Sequence, residues 1–140
     1  MPSARPIKII ILDDHPIIID GIRLLLKDSD QYVLHATANN LPELFSILAE
    51  PADILILDLN INGKNILNDI PMIRARQPKI KIVIFSSYNT PSLVRRAFEY
   101  EVNAYLLKDT TQDGFFEALT CITSKQYFIG PNVKVPKKGF

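Results

Sequence analysis

Short runs of apolar, mostly β-branched or leucine residues recur along the chain, and polar residues follow several of them directly. The most informative run covers residues 54–57, Ile-Leu-Ile-Leu, and ends at Asp58. A run this short and this apolar is typical of a strand buried on both faces of a sheet. Because an unpaired buried charge costs free energy, we expect Asp58 to lie just beyond the strand end, with partners or water.

The same pattern predicts five strands separated by five helices. The strands are expected at residues 7–12, 32–38, 53–57, 80–85 and 103–107. Apolar residues at helical spacing follow each strand. The first helix is expected from Pro16 to about Lys27. The later helices are expected to open at Pro42, near Asp69, at Pro91 behind the N-cap Thr90, and behind Thr110 or Thr111.

Two features of the sequence leave the start of the third helix undecided. Pro71 falls inside its apolar pattern, so the helix either starts near Asp69 with Pro71 in its first turn or is kinked there. Before it, residues 60–65 form a polar loop with a turn signal at Asn62-Gly63.

Alternating strands and helices predict an α/β fold, with a doubly wound parallel sheet and helices on both faces. Right-handed crossovers leave few strand orders, and we favour the flavodoxin-like order 2-1-3-4-5, whose switch point lies between strands 1 and 3. In that order Asp13, Asp14 and Asp58 converge in one crevice. Ser86 and Lys108 follow strands 4 and 5 at the same edge of the sheet.

These five residues suit one chemistry. Three crowded carboxylates repel one another unless a cation joins them, and oxygen ligands favour Mg²⁺ or Mn²⁺ over zinc. Mg²⁺ in such sites usually meets a phosphate oxygen, and a carboxylate can itself accept a phosphoryl group as an acyl phosphate. Lys108 and the Ser86 hydroxyl would then hold phosphoryl oxygens.

Each of these residues alone is ordinary at a strand end, where aspartates cap helices, serines form turns and lysines face water. Their co-occurrence after strands 1, 3, 4 and 5 is what points to a site. His15 has no second histidine at ligand spacing, so we interpret it as structural or solvent-facing.

Composition excludes other classes. The chain has 140 residues and a formal net charge of +1, so no general basic field supports sequence-independent nucleic-acid binding. We expect no membrane contact, because no apolar run approaches the roughly 20 residues of a span. A single cysteine and the absence of an apolar signal core lead us to expect a cytoplasmic protein.

At this point the sequence resembles the receiver domains of two-component response regulators. The motifs are Asp13-Asp14, Asp58, Ser86-Ser87 and Lys108 at their strand ends. Within the family, residues 13–16 (Asp-Asp-His-Pro) and 105–109 (Tyr-Leu-Leu-Lys-Asp) are similar to the LuxR/NarL-type subgroup, whose output domain is a helix-turn-helix. The resemblance implies a disordered N-terminus at 1–6, a CheY-like receiver domain at 7–124, and a tail or the start of an interdomain linker at 125–140.

The resemblance also implies roles. Asp58 would accept a phosphoryl group from a sensor histidine kinase or a phosphotransfer protein, and Ser86 and Lys108 would bind its oxygens. Asp13, Asp14, Asp58 and the main-chain carbonyl of Asn60 would hold Mg²⁺. Further expectations are a switch made by Ser86 and Tyr105, tuning of hydrolysis by Asn60 and Tyr88, and a changing surface on helix 4, strand 5 and helix 5.

Such a domain signals rather than turning over an external substrate, so only its own phosphorylation and dephosphorylation are expected. A homodimer is an open possibility. We expect any DNA binding to belong to a helix-turn-helix of a longer regulator. Two alternatives are a haloacid-dehalogenase-like phosphohydrolase, which needs a second aspartate where this chain has His15, and a degenerate receiver that acts only as an interaction module.

Overall fold

The computed structural model describes residues 5–135. Of the predicted disordered N-terminus, residues 1–4 lie outside the described part. Arg5 is described, and its guanidinium lies 3.3 Å from the carboxylate of Asp53.

A parallel sheet forms the centre of the fold. Its strands are β1 Ile7–Leu12, β2 Tyr32–Ala38, β3 Ile54–Leu57, β6 Lys81–Ser86, β7 Ala104–Leu107 and β8 Phe128–Ile129. They lie in the order β2-β1-β3-β6-β7-β8. The predicted α/β fold and the order of the first five strands are therefore confirmed, and β8 adds a short sixth strand that the sequence pattern did not predict.

Helices cover both faces of this sheet. They are α1 Pro16–Leu26, α2 Leu41–Ile47, α3 Ile70–Arg76, α4 Pro91–Glu99 and α5 Gln112–Thr123. Buried residues of α1 and α5 pack on one face, and those of α2, α3 and α4 pack on the other. The sheet is thus enclosed on both sides, which explains why residues 54–57 are all apolar and all buried.

Local signals determine where several helices begin. The side chain of Thr111 accepts a hydrogen bond from the main-chain N–H of Gly114, so Thr111 rather than Thr110 caps α5. Pro71 lies in the first turn of α3, where a missing N–H is tolerated, and a short 3-10 helix, Leu67–Asp69, precedes it. The prediction that the helix starts near Asp69 is confirmed, and the kink is not needed.

The loop after Asp58 is ordered as a hairpin of β4 Asn60–Ile61 and β5 Lys64–Asn65. Asn62 and Gly63 have φ angles of 53° and 79°, the left-handed conformation that a tight two-residue turn requires. Glycine and asparagine adopt this conformation most readily, so the turn signal in the sequence has a direct structural cause.

The segment after α5 returns to the sheet. β8 pairs in parallel with β7, and the N–H of Gly130 donates to the carbonyl of Tyr105 at 2.9 Å. Val133 is buried beside this strand, while residues 136–140 lie outside the described part. The predicted tail thus contains the strand β8. This strand covers the edge of β7, which lies at the centre of the surface predicted to change on phosphorylation. Within residues 5–135, no helix is both long and apolar enough to cross a lipid bilayer.

Candidate functional site

Two main-chain hydrogen bonds place the central aspartates side by side. The N–H of Asp58 donates to the carbonyl of Leu12 at 2.9 Å, and the N–H of Asp13 donates to the carbonyl of Ala38 at 3.1 Å. Each aspartate therefore continues the ladder of its strand by one residue before the chain turns away. Both side chains are almost fully buried, with exposed fractions of 2% for Asp13 and 3% for Asp58.

Lys108 joins the two carboxylates. Its N–H donates to the carbonyl of Ser86 at 3.0 Å, which extends β7 toward the same edge of the sheet. Its Nζ lies 2.9 Å from Oδ2 of Asp58 and 3.1 Å from Oδ2 of Asp13. Two buried anions thus share one cation, and this pairing offsets the desolvation cost of burying the two carboxylates.

The burial of Asp58 has an electrostatic consequence. Burial raises the pKa of its carboxyl group, and the charge of Asp13 adds to the rise. Hydrogen bonds from the Lys108 ammonium and from the main-chain N–H of Asn60 (3.2 Å) lower the pKa and only partly offset the burial. A raised pKa leaves the carboxylate more basic than an exposed aspartate.

Lys108 shows the opposite balance. Burial by itself lowers the pKa of an ammonium group, but the hydrogen bonds and negative charges of Asp58 and Asp13 outweigh it. The net result is a raised pKa for Lys108. The cation therefore stays charged where it faces the carboxylates.

Asp14 lies at the more open side of the cluster. Its Oδ2 accepts a hydrogen bond from the N–H of Asn62 at 2.8 Å, which ties the hairpin to the end of β1. Its Oδ1 is buried and accepts no hydrogen bond in the described part of the chain, although Nδ1 of His15 lies 3.1 Å from it. A buried carboxylate oxygen without a hydrogen bond is costly in free energy, and a bound cation would satisfy it.

The fit to a metal can be judged from these oxygens. Asp13, Asp14, His15 and Asp58 each offer a ligand atom, and those atoms all lie within 4.8 Å of one another. Three of the four are carboxylate oxygens, the ligand type that Mg²⁺ and Mn²⁺ prefer. The residues therefore fit a hard divalent cation.

Ser86 and Tyr105 lie deeper, and both are fully buried. The Ser86 Oγ accepts a hydrogen bond from the N–H of Tyr88 at 3.0 Å, and the Tyr105 hydroxyl donates to the carbonyl of Tyr88. In residues 5–135 no hydrogen bond joins the Ser86 hydroxyl to Asp58 or Lys108. The structure therefore brings Asp13, Asp14, Asp58 and Lys108 together, while Ser86 stands behind them with Tyr105.

Burial also acts on Tyr105. It raises the pKa of the phenol to about 12, opposed by a hydrogen bond with the Ser86 side chain and assisted by the charge of Asp58. The phenol therefore stays neutral near neutral pH, and its pKa depends on both Ser86 and Asp58.

The cluster opens to solvent through a pocket of about 340 Å³. Its lining residues are Asp14, His15, Asp58, Asn60, Gly63, Ser87, Tyr88 and Lys108. Three of these, His15, Ser87 and Gly63, were not proposed as site residues from the sequence. Ser87 and Gly63 adjoin strand-end and turn motifs, and His15 directly follows the aspartate pair, so position was the only available signal.

His15 differs most from expectation. Its side chain is 54% exposed, in line with a solvent-facing residue, yet Nδ1 lies 2.7 Å from Oδ1 of Asp13 and 3.1 Å from Oδ1 of Asp14. Lack of a second histidine argued against a zinc site, but it said nothing about contact with the carboxylates.

Comparison with known proteins identifies this arrangement. Residues 9–120 match the family described as the response regulator receiver domain. The chain belongs to the response regulator receiver family. The acidic pocket of the receiver domain suits a phosphoacceptor, and this identification favours the receiver interpretation over the phosphohydrolase and the degenerate module.

The similar curated proteins are regulators of the NarL/LuxR type. The receiver domain is 31% identical over 121 residues to the nitrate/nitrite response regulator protein NarL of Escherichia coli, covering 85% of this chain and 56% of NarL. It is 29% identical over 128 residues to the transcriptional regulatory protein LnrK of Bacillus subtilis, covering 91% of this chain and 58% of LnrK. The chain thus spans a little over half the length of these relatives.

Solved structures give the same fold. A LuxR-family two-component response regulator from Aurantimonas superposes with a TM-score of 0.83 at 25% identity, covering 91% of this chain and 92% of that one. The isolated receiver domain of RcsB from Salmonella enterica, solved with the phosphomimetic BeF₃⁻, superposes with a TM-score of 0.84 at 23% identity, covering 91% and 96%. The chain therefore has the CheY-like fold of receiver domains, which belong to signalling proteins.

Proposed function

We propose that Asp58 accepts a phosphoryl group from the phosphohistidine of a sensor histidine kinase or a phosphotransfer protein. The observation that carries this proposal is the contact of 2.9 Å between Lys108 Nζ and Asp58 Oδ2 at the edge of an acidic pocket. Asp13 and Asp14 are carboxylates too, but the lysine, the Asn60 N–H and the pocket converge on Asp58.

In the transfer step an oxygen of the Asp58 carboxylate attacks phosphorus. A new O–P bond forms, the P–N bond to the donor histidine breaks, and its electron pair leaves with the imidazole nitrogen. The raised pKa of Asp58 favours attack, since a more basic oxygen is a better nucleophile. The Lys108 ammonium, already held beside Asp58, is placed to bind one phosphoryl oxygen.

The metal would be held by Asp13, Asp14, Asp58 and the main-chain carbonyl of Asn60. When bound, Mg²⁺ or Mn²⁺ supplies positive charge that offsets the charge of the phosphoryl oxygens. Support for this role comes from the carboxylate oxygens within 4.8 Å of one another and from Oδ1 of Asp14, which is buried and accepts no hydrogen bond within residues 5–135. Asn60 and Tyr88 line the pocket, and in this proposal they tune how fast water removes the phosphoryl group.

Ser86 and Tyr105 form the switch in this proposal. A phosphoryl group on Asp58 would attract the Ser86 hydroxyl as an additional donor, and this would favour the buried rotamer of Tyr105, which fills the space behind Ser86, over an exposed one. The link is supported by Tyr88, whose N–H donates to Ser86 and whose carbonyl accepts from Tyr105. Phosphorylation would thereby bias the surface around α4, β7 and α5 between two states.

The route to an output passes through the segment after α5. Gly130 donates to the main chain of Tyr105, and the Asn89 side chain donates to the carbonyl of Asn132 at 2.7 Å. A change at Tyr105 therefore reaches residues 125–135 directly. In a longer regulator of the NarL type this segment would lead to a DNA-binding helix-turn-helix domain, and phosphorylation would favour a homodimer.

The test is phosphorylation by a small acyl phosphate in the presence of Mg²⁺, followed by the intact mass of the protein. Wild type and Asp20→Asn, a control at a surface aspartate whose one ion pair within residues 5–135 is with Arg23, should each gain one phosphoryl group. Asp58→Asn should gain none while keeping the circular dichroism of the folded domain. Equal labelling of Asp58→Asn and wild type would refute the assignment, and turnover of a generic phosphate ester would favour a phosphohydrolase.

A further inference from the structure

His15 places one imidazole nitrogen among the carboxylates of the acidic pocket. Its Nδ1 lies 2.7 Å from Oδ1 of Asp13, 3.1 Å from Oδ1 of Asp14 and 3.5 Å from Oδ2 of Asp58. Each of the three carboxylates thus turns one oxygen toward the same atom. Because a carboxylate can only accept, the hydrogen bond to Asp13 belongs to the tautomer in which Nδ1 carries the proton.

The backbone holds His15 in this position. His15 is the N-cap residue of α1, with extended φ and ψ angles of −107° and 103°, but its side chain makes no capping hydrogen bond. Instead its main-chain N–H donates to Oδ1 of Asp13 at 2.8 Å. Main chain and side chain therefore both point back to the end of β1, and Asp13 accepts both bonds.

The ring and a divalent cation need the same space. Mg²⁺ binds carboxylate oxygens at about 2.0–2.1 Å and demands near-octahedral geometry. A cation that contacts the oxygens surrounding Nδ1 would overlap the imidazole or crowd its N–H. The 3.1 Å distance between Nδ1 and Lys108 Nζ shows that little room remains on the other side.

The ring is free to leave. The His15 side chain is 54% exposed, and in residues 5–135 its recorded contacts all run through Nδ1. Rotation into solvent would cost the bond to Asp13 and release three carboxylate oxygens together. No rearrangement of the buried sheet is required.

We propose that His15 sets the affinity of this pocket for divalent cations by competing with the cation for the carboxylates of Asp13, Asp14 and Asp58. The ring must turn out when the ion binds, so the imidazole is a competitor and not a ligand. This inference rests on the proposed function, because it takes the acidic pocket to be the Mg²⁺ site. It predicts that a receiver domain without this side chain binds Mg²⁺ more tightly.

The test is calorimetric titration of Mg²⁺ into the wild-type chain, His15→Ala and His35→Ala at one fixed pH. His35 is the matched control, since it lies on β2, and within residues 5–135 its ring makes a single ionic contact, to Glu50 at 3.9 Å. Loss of one net hydrogen bond corresponds to about a threefold to tenfold change in Kd, so His15→Ala should bind about three to ten times more tightly. His35→Ala should bind like wild type.

A second readout uses the wild-type chain and does not depend on any variant folding. Mn²⁺-loaded protein examined by electron spin echo spectroscopy should show no coupling to an imidazole nitrogen, because the ring has turned away. A nitrogen coupling, or a Kd that is unchanged or weaker in His15→Ala, would overturn the competition. Failure of all three proteins to bind either ion would instead overturn the metal site, and with it the proposed function.

Discussion

Tyr105 offers the sharpest test of the electrostatics inside the switch. Its side chain is fully buried, and its hydroxyl donates to the carbonyl of Tyr88. The substitution Tyr105→Phe removes the hydroxyl and nothing else. A typical intramolecular hydrogen bond contributes about 0.5–1.5 kcal/mol net, so near pH 9 the variant should unfold with a free energy lower by about 1 kcal/mol.

Alkaline pH should reverse this difference. The pKa of Tyr105 rises from 10.0 to about 12 in the folded domain. Below about pH 10 both the folded and the unfolded chain keep the phenol neutral, so this group adds no pH dependence. Between about pH 10 and 12 the unfolded chain releases the proton and the folded domain retains it, so the free energy of unfolding falls as pH rises.

The size of the fall follows from the two pKa values. A tenfold change in an equilibrium constant is worth about 1.4 kcal/mol, so the phenol alone lowers the free energy of unfolding of wild type by about 2.3 kcal/mol at pH 12, and by about 2.7 kcal/mol well above both pKa values. Tyr105→Phe is spared this loss. The wild-type and variant stabilities should therefore cross between about pH 10 and 11, and the variant should be the more stable protein above the crossing.

Urea unfolding followed by far-ultraviolet circular dichroism, repeated at several values between pH 9 and about 11.5, measures this crossing. Tyr127→Phe is the control, since it removes a hydroxyl from a ring that is 70% exposed, and its difference from wild type should not change sign. A constant difference between wild type and Tyr105→Phe across this range would refute a raised pKa of Tyr105 in the folded domain.

Two further predictions concern the site and its support. Lys108→Met removes a hydrogen bond that lowers the pKa of Asp58, so the pH below which the rate of labelling by an acyl phosphate falls should move to a higher value. Initial labelling rates, measured by intact mass at several pH values, show this shift. An unchanged pH midpoint of the rate would contradict it. Asn103→Ala should lower the free energy of unfolding by about 1–3 kcal/mol, because the buried N–H of Ile82 loses its 2.8 Å acceptor. Urea unfolding measures that loss, against a change within about 0.5 kcal/mol for the control Gln112→Ala, whose side chain is exposed and makes no hydrogen bond within residues 5–135.

The sequence by itself determined the sheet and the meeting of its strand ends. A strand enclosed on both faces must be apolar throughout, so the apolar run at residues 54–57 predicted the central strand, and Asp58 predicted where it ends. Parallel strands joined by right-handed crossovers then leave few orders, and all their carboxyl ends meet at one edge. That is why Asp13, Asp14, Asp58 and Lys108 could be predicted as neighbours before any distance was known.

Other parts of the site could not be predicted in this way, because they depend on rotamers and long-range contacts. No periodicity tells that His15 turns its ring back onto Asp13, since an exposed N-cap residue is locally free to point elsewhere. Likewise, Ser86 follows its strand like the other site residues, but its hydroxyl lies with Tyr88 and Tyr105 behind the pocket.

The sixth strand shows the same limit. Phe128 and Ile129 form too short an apolar run to predict a strand from the sequence. They form β8 because the folded domain offers them the open edge of β7 as a pairing partner. Apolar pattern thus decided the layers and the order of the strands. Only the tertiary structure decided which side chain fills the space between the carboxylates and what covers the last edge of the sheet, because both are contacts between segments distant in the chain or choices among rotamers.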